Sequence, residues 1–369
     1  MKTGVFPTTI DFAFSGRCNL RCKHCNTSST WNAENELSFD EIVYVFDMLK
    51  DCKIFNLNLY GGEPFFYPRI YDLLEILDKY PFRFSILTNG TLIDRDIVLR
   101  LKKMRFLEIV QISLDGSIPE VHDWQRGEGS FRKTMKGVEL LLAEGVPLKL
   151  KAVINRNNYN DIEGMVDLAA GLGLGGMDFG DAVECGRAAV NSEQMCLGGD
   201  IHRSMMETVF ALSAKYPGFQ IGGTLGQKMG MLMDFYANGK GNGKRGNFNI
   251  CPAGSDILSI RSDGKVVPCS AFWTLVCGDV RKNTLKEIWA DSEVLDKIRA
   301  LAEEPLKKYK TECARCDYVS YCNGGCRASA YYASGGDLKG IDASNCYIFS
   351  DIYGFRIPEE TVLAERKIK

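Results

Sequence analysis

The chain has 369 residues, a formal net charge of −2, 45% hydrophobic and 25% charged residues, which is the composition of a globular protein and gives no field to hold nucleic acid or an anionic membrane. The N-terminus, MKTGVFPTTIDFAFSGRC, lacks the apolar core of a signal peptide, and no stretch of about 18 apolar residues occurs, so a cytoplasmic protein without a membrane span is expected. Fourteen Cys against three His exclude a disulfide framework in that reducing compartment and favour all-thiolate metal sites over mixed Cys/His zinc.

Short β-branched and aromatic runs fall at 8–14, 54–60, 82–87, 107–113, 148–154 and 177–182. Amphipathic stretches alternate with them at 38–52, 67–80, 94–104, 131–144 and 160–172. Strand followed by helix, repeated along six strands, predicts parallel strands joined by right-handed crossovers: an α/β chain with a partial (β/α)6 barrel. Ser38 and Asp161 are the expected helix N-caps. Active-site residues in such folds collect at the C-terminal ends of the strands. Residues 200–238 read as helical, and the Gly/Asn/Lys-rich 238–249 as a linker. A hairpin is expected over 256–269, turning at 262–265, and one helix over 284–301. The cysteine-rich 311–346 has too little apolar material for a core of its own and needs metal cross-links. The expected organisation is 1–199 barrel, 200–250 helical bridge and linker, 251–346 cysteine-rich domain, and 347–369 tail.

The first strand runs directly into Cys18-Asn19-Leu20-Arg21-Cys22-Lys23-His24-Cys25, a C-x3-C-x2-C loop. Three thiolates on one loop can ligate three irons of a cubane and leave the fourth iron open, as a catalytic site requires; without a nearby fourth Cys they make a poor closed zinc site. Gly61-Gly62-Glu63-Pro64 ends strand two, Thr88-Asn89-Gly90 ends strand three, and Ser113-Leu114-Asp115-Gly116 ends strand four, with Arg126 beyond. Each motif alone is weak; in series, at successive strand ends, they resemble the signature of the radical S-adenosylmethionine (SAM) superfamily over the first half of the chain. The resemblance implies SAM chelating the open iron of a [4Fe–4S] cluster held by Cys18, Cys22 and Cys25. It further implies His24 near the adenine, Gly61, Gly62 and Glu63 near the methionine part, and Ser113, Asp115 and Arg126 near the carboxylate and ribose.

Seven further cysteines form an ordered array: Cys251, then Cys269 in G-x4-C, then Cys313-x2-Cys316-x5-Cys322-x3-Cys326, then Cys346. Seven thiolates without His do not divide into two tetrahedral zincs. The array resembles the SPASM domain of radical SAM maturases. That resemblance implies two auxiliary [4Fe–4S] clusters, making three in all: Cys251, Cys269 and Cys326 on the first, and Cys313, Cys316, Cys322 and Cys346 on the second. A fourth ligand to the first is either Cys277 or absent, leaving that site open. Cys52 is read as a small buried hydrophobe. Cys185, following strand six, is either an ordinary loop cysteine or the donor of a hydrogen atom to a substrate radical.

The resemblance implies reductive cleavage of SAM to a 5′-deoxyadenosyl radical, with a donor such as flavodoxin or ferredoxin. The first reading is a maturase that oxidises or cross-links a residue of a peptide or protein; the alternative is an epimerase or dehydrogenase of a small molecule such as a sugar or aminoglycoside. A first strand near Thr8 leaves no room for a leader-binding domain before it. Sulfatase maturation is disfavoured by Ser270, where those enzymes resemble one another in having an acidic residue. A purely electron-transferring protein needs neither the open three-Cys loop nor the GGEP strand end.

Overall fold

The computed structural model describes residues 6–238, 251–303, 316, 319–322 and 324–349. One ten-stranded sheet organises them, in the order β10-β9-β8-β1-β2-β3-β4-β5-β6-β7. The six expected strands are present: β1 (Thr9–Ser15), β2 (Asn56–Gly61), β3 (Arg83–Thr88), β4 (Leu107–Ser113), β5 (Leu148–Ile154) and β6 (Gly176–Asp181). All pair in parallel with their neighbours. Helices α1 (Phe39–Asp51), α2 (Ile70–Leu77), α3 (Arg95–Leu101), α4 (Pro119–Arg126), α5 (Ser130–Ala143) and α6 (Ile162–Gly171) run between them. This is the partial α/β barrel.

Alternation along each strand sorts side chains between two faces. On β1, Ile10, Phe12 and Phe14 turn to the helices, where Phe12 meets Phe46 of α1 edge to face at 6.0 Å. Asp11 turns to the concave face and accepts from Asn58 Nδ2 of β2 at 2.8 Å. The lumen is thus polar where the outer layer is apolar. Ser38 caps α1 in a full capping box with Glu41. Asp161 does not cap α6: its carboxylate accepts from Ser117 N and Oγ and ties the loop after β4 to that helix.

Three elements depart from the sequence reading. A short β7 (Gln220–Gly222) extends the parallel sheet inside the stretch read as helical. Helix α4 was not foreseen. The helix expected over 284–301 is two, Leu285–Asp291 and Glu293–Glu303, separated at Ser292, whose ψ of 113° is extended. The expected hairpin forms as β8 (Ile257–Ile260) and β9 (Lys265–Val267), with β10 (Gly278–Asp279) beside β9. It does not stand apart, because β8 pairs in parallel with β1, Thr9 opposite Ile257. Among the described residues, no helix is long and apolar enough to cross a membrane.

Arg281 pins this extension to the barrel. Its guanidinium donates to Glu41 at 2.6 Å and to the carbonyls of Asp263 and Glu36 at 2.8 and 3.0 Å. Arg281→Ala is expected to lower stability by about 1–2 kcal/mol, since the ion pair is part exposed and screened. The hydrogen bond from Arg281 and those from Ser38 hold Glu41 down to about 2. A lowered carboxylate stabilises the fold above its unfolded value and loses that contribution as pH falls through its folded one. The advantage of wild type over the variant, read from denaturant midpoints, is therefore full at neutral pH and fades between about 4.5 and 2.

Candidate active site

The cysteine loop leaves β1 through Ser15. Glu36 gathers its first turn, accepting from Ser15 Oγ at 2.8 Å, Gly16 N at 2.6 Å and Arg17 Nε at 2.7 Å. The GGE segment at the end of β2 lies against the same turn: Gly62 N donates to Ser15 O at 2.8 Å and Glu63 N to Arg17 O at 2.7 Å. A Cβ on Gly62 would sit 1.9 Å from Arg17 O, and one on Gly61 2.0 Å from Ser15 O. The two glycines are required by this backbone-on-backbone packing, before any question of a ligand.

Cys18, Cys22 and Cys25 open into one cleft at the C-terminal ends of the strands. His24, Gly61, Gly62, Ser113 and Arg126 line it as well. Glu63 and Asp115 do not; both are fully buried. Glu63 accepts from Thr88 Oγ1 at 2.6 Å, Asn89 N at 2.7 Å and Phe65 N at 3.1 Å, joining the ends of β2 and β3. Burial pushes it up to about 6 against those three bonds. Glu63, expected near the methionine part of SAM, thus has its carboxylate turned away from the cleft, where it braces the two strand ends. Asn89, held by Glu63, reaches the cysteine loop through Asn19 at 2.9 Å.

Asp115 likewise braces. It accepts from Arg126 Nε at 2.5 Å, Val153 N at 2.8 Å and Gln125 Nε2 at 2.9 Å. Burial alone would raise its carboxyl, but the Arg126 charge, with His24, His122 and the bond from Val153 N, holds the group below the usual range. Gln125 and Arg126 then flank His24, Gln125 Nε2 standing 2.8 Å from His24 Nδ1. Burial lowers His24 to about 4, so a neutral imidazole faces the cleft.

Burial and their mutual proximity push the thiols of Cys18 and Cys22 up to about 12 and 11. Such a set ionises only against a cationic centre. Among the described residues, no three His, Cys, Asp or Glu side chains converge on a single-ion site. Three thiols around an open cleft, with no fourth thiol among the described residues that line it, fit an iron–sulfur cluster with one free iron better than zinc.

Across the cleft, the loop after β6 clasps the cysteine loop. Gly186, at φ +60°, lies against the carbonyls of Cys25 and Asn26, where a Cβ would come within 2.7 and 2.4 Å. Arg187 donates from its backbone N to Cys25 O at 2.9 Å, from Nε to Cys22 O at 2.8 Å and from Nη1 to Ser29 O at 2.8 Å. The sequence reading passed over Arg187, although the strand-end rule that flagged Cys185 two residues earlier applies to it. Lys151 of β5, also a cleft residue, was passed over because it reads as the polar half of an alternating strand. Cys185 itself is buried, off the cleft wall, and its thiol is hydrogen-bonded to Tyr332.

Cys251, Cys269 and Cys326 meet in a separate small core around Phe272 and Ala328, with Tyr331 and Tyr332 against it. Burial and the other two thiols raise Cys269. Cys322 is pushed up to about 12, chiefly by burial and next by Cys346. Cys316 packs against the main core; Cys313 lies outside the described residues. Cys277 is not with the first group. It packs on the main core, bonded to Ser292, because its own N–H is tied to Val266 O across β9. The two cysteine regions touch, Asn26 Nδ2 donating to Ser270 O at 3.1 Å.

The family model described as the Radical SAM superfamily matches residues 12–169, and that of an iron–sulfur cluster-binding SPASM domain matches 251–317. An AdoMet-dependent heme synthase of Methanosarcina barkeri is 28% identical over 342 residues, covering 90% of this chain and 95% of that protein. The mycofactocin maturase MftC of Mycolicibacterium smegmatis is 26% identical over 344 residues, covering 91% and 82%. The crystal structure of Streptococcus suis SuiB bound to precursor peptide SuiA superposes with a TM-score of 0.74 at 19% identity, over 93% of this chain and 76% of that one, a likeness of fold. Matched in chain order, and on the sheet that both matches share, this chain belongs to the radical SAM superfamily, as an enzyme of SAM and iron–sulfur chemistry that carries a SPASM domain.

Proposed function

We propose that the protein is a maturase that oxidises or cross-links a residue of a peptide or protein. Cys18, Cys22 and Cys25 hold the SAM-binding cluster. Cys251, Cys269 and Cys326 hold a first auxiliary cluster, left without a fourth thiolate because Cys277 stands elsewhere. Cys313, Cys316, Cys322 and Cys346 hold a second. When bound, the SAM-binding cluster supplies the electron that cleaves SAM to methionine and a hydrogen-abstracting 5′-deoxyadenosyl radical. The chain's own residues shape that event. Arg126, aimed by Asp115, offers its remaining donors to the SAM carboxylate; neutral His24 packs at the adenine; the Gly61–Gly62 backbone bounds the methionine part. Arg187 fixes the cysteine loop and keeps a positive charge beside it.

The observation that carries the reading is the Asn26–Ser270 contact. It brings the auxiliary region to the edge of the cleft, where an acceptor can take the electron that an oxidation releases. Cys185, off the cleft wall, favours oxidation over a redox-neutral epimerisation in which it would return a hydrogen atom. The similarity to a mycofactocin maturase supports a peptide substrate. The similarity to AdoMet-dependent heme synthases favours a second reading, a small-molecule substrate.

One assay separates them. The holoenzyme, with SAM and dithionite, is given the large and small fractions of an extract of its own source cells, divided by ultrafiltration, and 5′-deoxyadenosine is measured. The maturase reading expects stimulation by a fraction that protease treatment inactivates. Stimulation by the small-molecule fraction, indifferent to protease, would overturn it.

A further inference from the structure

Every acidic side chain at the cleft and lumen near β4, β5 and β6 has its own partner. Asp115 is paired with Arg126, Asp178 with Lys149 at 2.6 Å, and Asp181 with Lys228. Arg187 is taken up by carbonyls. Lys151 is the exception: its backbone carbonyl accepts from Leu114 N at 2.8 Å, but its side chain makes no hydrogen bond or ion pair with any described residue. It stands on β5 opposite Ser113 of β4 and Asp178 of β6, half-buried, with its side chain on the cleft wall. Asp11, across the lumen, feels the Lys151 charge but is not within ion-pair distance of it. That carboxyl is held by Asn58 and Ser270, and burial raises it towards its neutral form.

An ammonium walled into a cleft loses hydration without recompense unless an anion arrives from outside. The expected guanidinium for the SAM carboxylate, Arg126, is already present on the β4 side. We infer that Lys151 is a specificity residue that binds a carboxylate of the substrate, seated on the β5 side of the cleft. The site therefore takes an acidic substrate: an Asp or Glu side chain, a chain-terminal carboxylate, or an organic acid. This goes beyond the peptide reading and holds for either substrate size, so failure of one does not carry the other.

The test is protection of Lys151 from anaerobic reductive methylation of the holoenzyme, followed residue by residue by peptide mass spectrometry, with exposed Lys53 as the reference. The four arms are no ligand, SAM, SAM with N-acetylglycine, and SAM with N-acetylglycinamide. The expected result is that N-acetylglycine slows methylation of Lys151 several-fold beyond SAM alone, that the uncharged amide does not, and that Lys53 is unaffected. Full protection by SAM alone assigns the ammonium to the SAM carboxylate and overturns the inference. Equal protection by acid and amide, or none by either, overturns it too. So does a Lys151 that resists methylation in the free enzyme, since it would then be paired already.

Discussion

Replacing Cys18, Cys22 and Cys25 together by alanine is expected to lower bound iron from about 12 to about 8 per chain and to abolish 5′-deoxyadenosine formation. The fold should persist, because the loop is not held by its thiols. Glu36 grips its start, Cys18 N donates to Thr30 O at 2.8 Å, and Arg187 fastens Cys22, Cys25 and Ser29 through their carbonyls. Circular dichroism and the denaturant midpoint should therefore stay close to wild type once the auxiliary sites are loaded. Iron and sulfide analysis after anaerobic reconstitution gives the count. An unchanged iron content would show that these thiols hold no cluster. A fall to about 4 would leave room for only one further cluster and remove one of the two auxiliary sites.

Gly62→Ala should be among the most damaging single methyl additions at the described glycines. The new Cβ would lie 1.9 Å from Arg17 O and 2.3 Å from Arg17 C, both backbone atoms with no rotamer to yield. Relief requires the end of β2 to part from the turn that begins the cysteine loop, breaking the bonds from Gly62 N to Ser15 O and from Glu63 N to Arg17 O. A destabilisation of about 3 kcal/mol is expected, at the upper end for overpacking. SAM cleavage should fall by about 100-fold or more, because a displacement of about 1 Å in a positioned reactive group has that effect. Gly171→Ala, at the end of α6 with open space around it, is the matched control and should change neither. A Gly62→Ala enzyme that cleaves SAM at the wild-type rate would show that the GGE turn does not position the loop.

The strands were legible because β-branched and aromatic runs bounded by turns have no competing helical period, and β4 and β5 match the sequence reading at both ends. Helix α4 was not legible: its sequence PEVHDWQR buries His122, Gln125 and Arg126, so its inward face is polar and looks like surface. The bracing of Asp115 and His24 depends on that helix, which is why the motif at the end of β4 was read as facing a ligand. Glu63 misled for a related reason. A carboxylate at a strand end can turn outward to the cleft or inward to the next strand, and spacing does not distinguish the two; Thr88 and Asn89 draw it inward. The cysteine pattern placed thiols in groups, but Cys277 and Cys185 show its limit, since a β9 hydrogen bond and Tyr332 decide where those two side chains go.

The parallel pairing of β8 with β1 has a consequence for how the chain is made. Thr9 and Ile257 are separated by about two-thirds of the sequence, yet they are direct neighbours in the sheet. Until the ribosome has delivered β8, the first strand presents a bare edge, and the cysteine loop that follows it hangs from an incomplete support. Contacts this distant in sequence form late and slowly. The barrel and the cysteine-rich extension therefore mature as one unit, and a fragment ending before Ile257 would carry an open, aggregation-prone strand next to its cysteine loop.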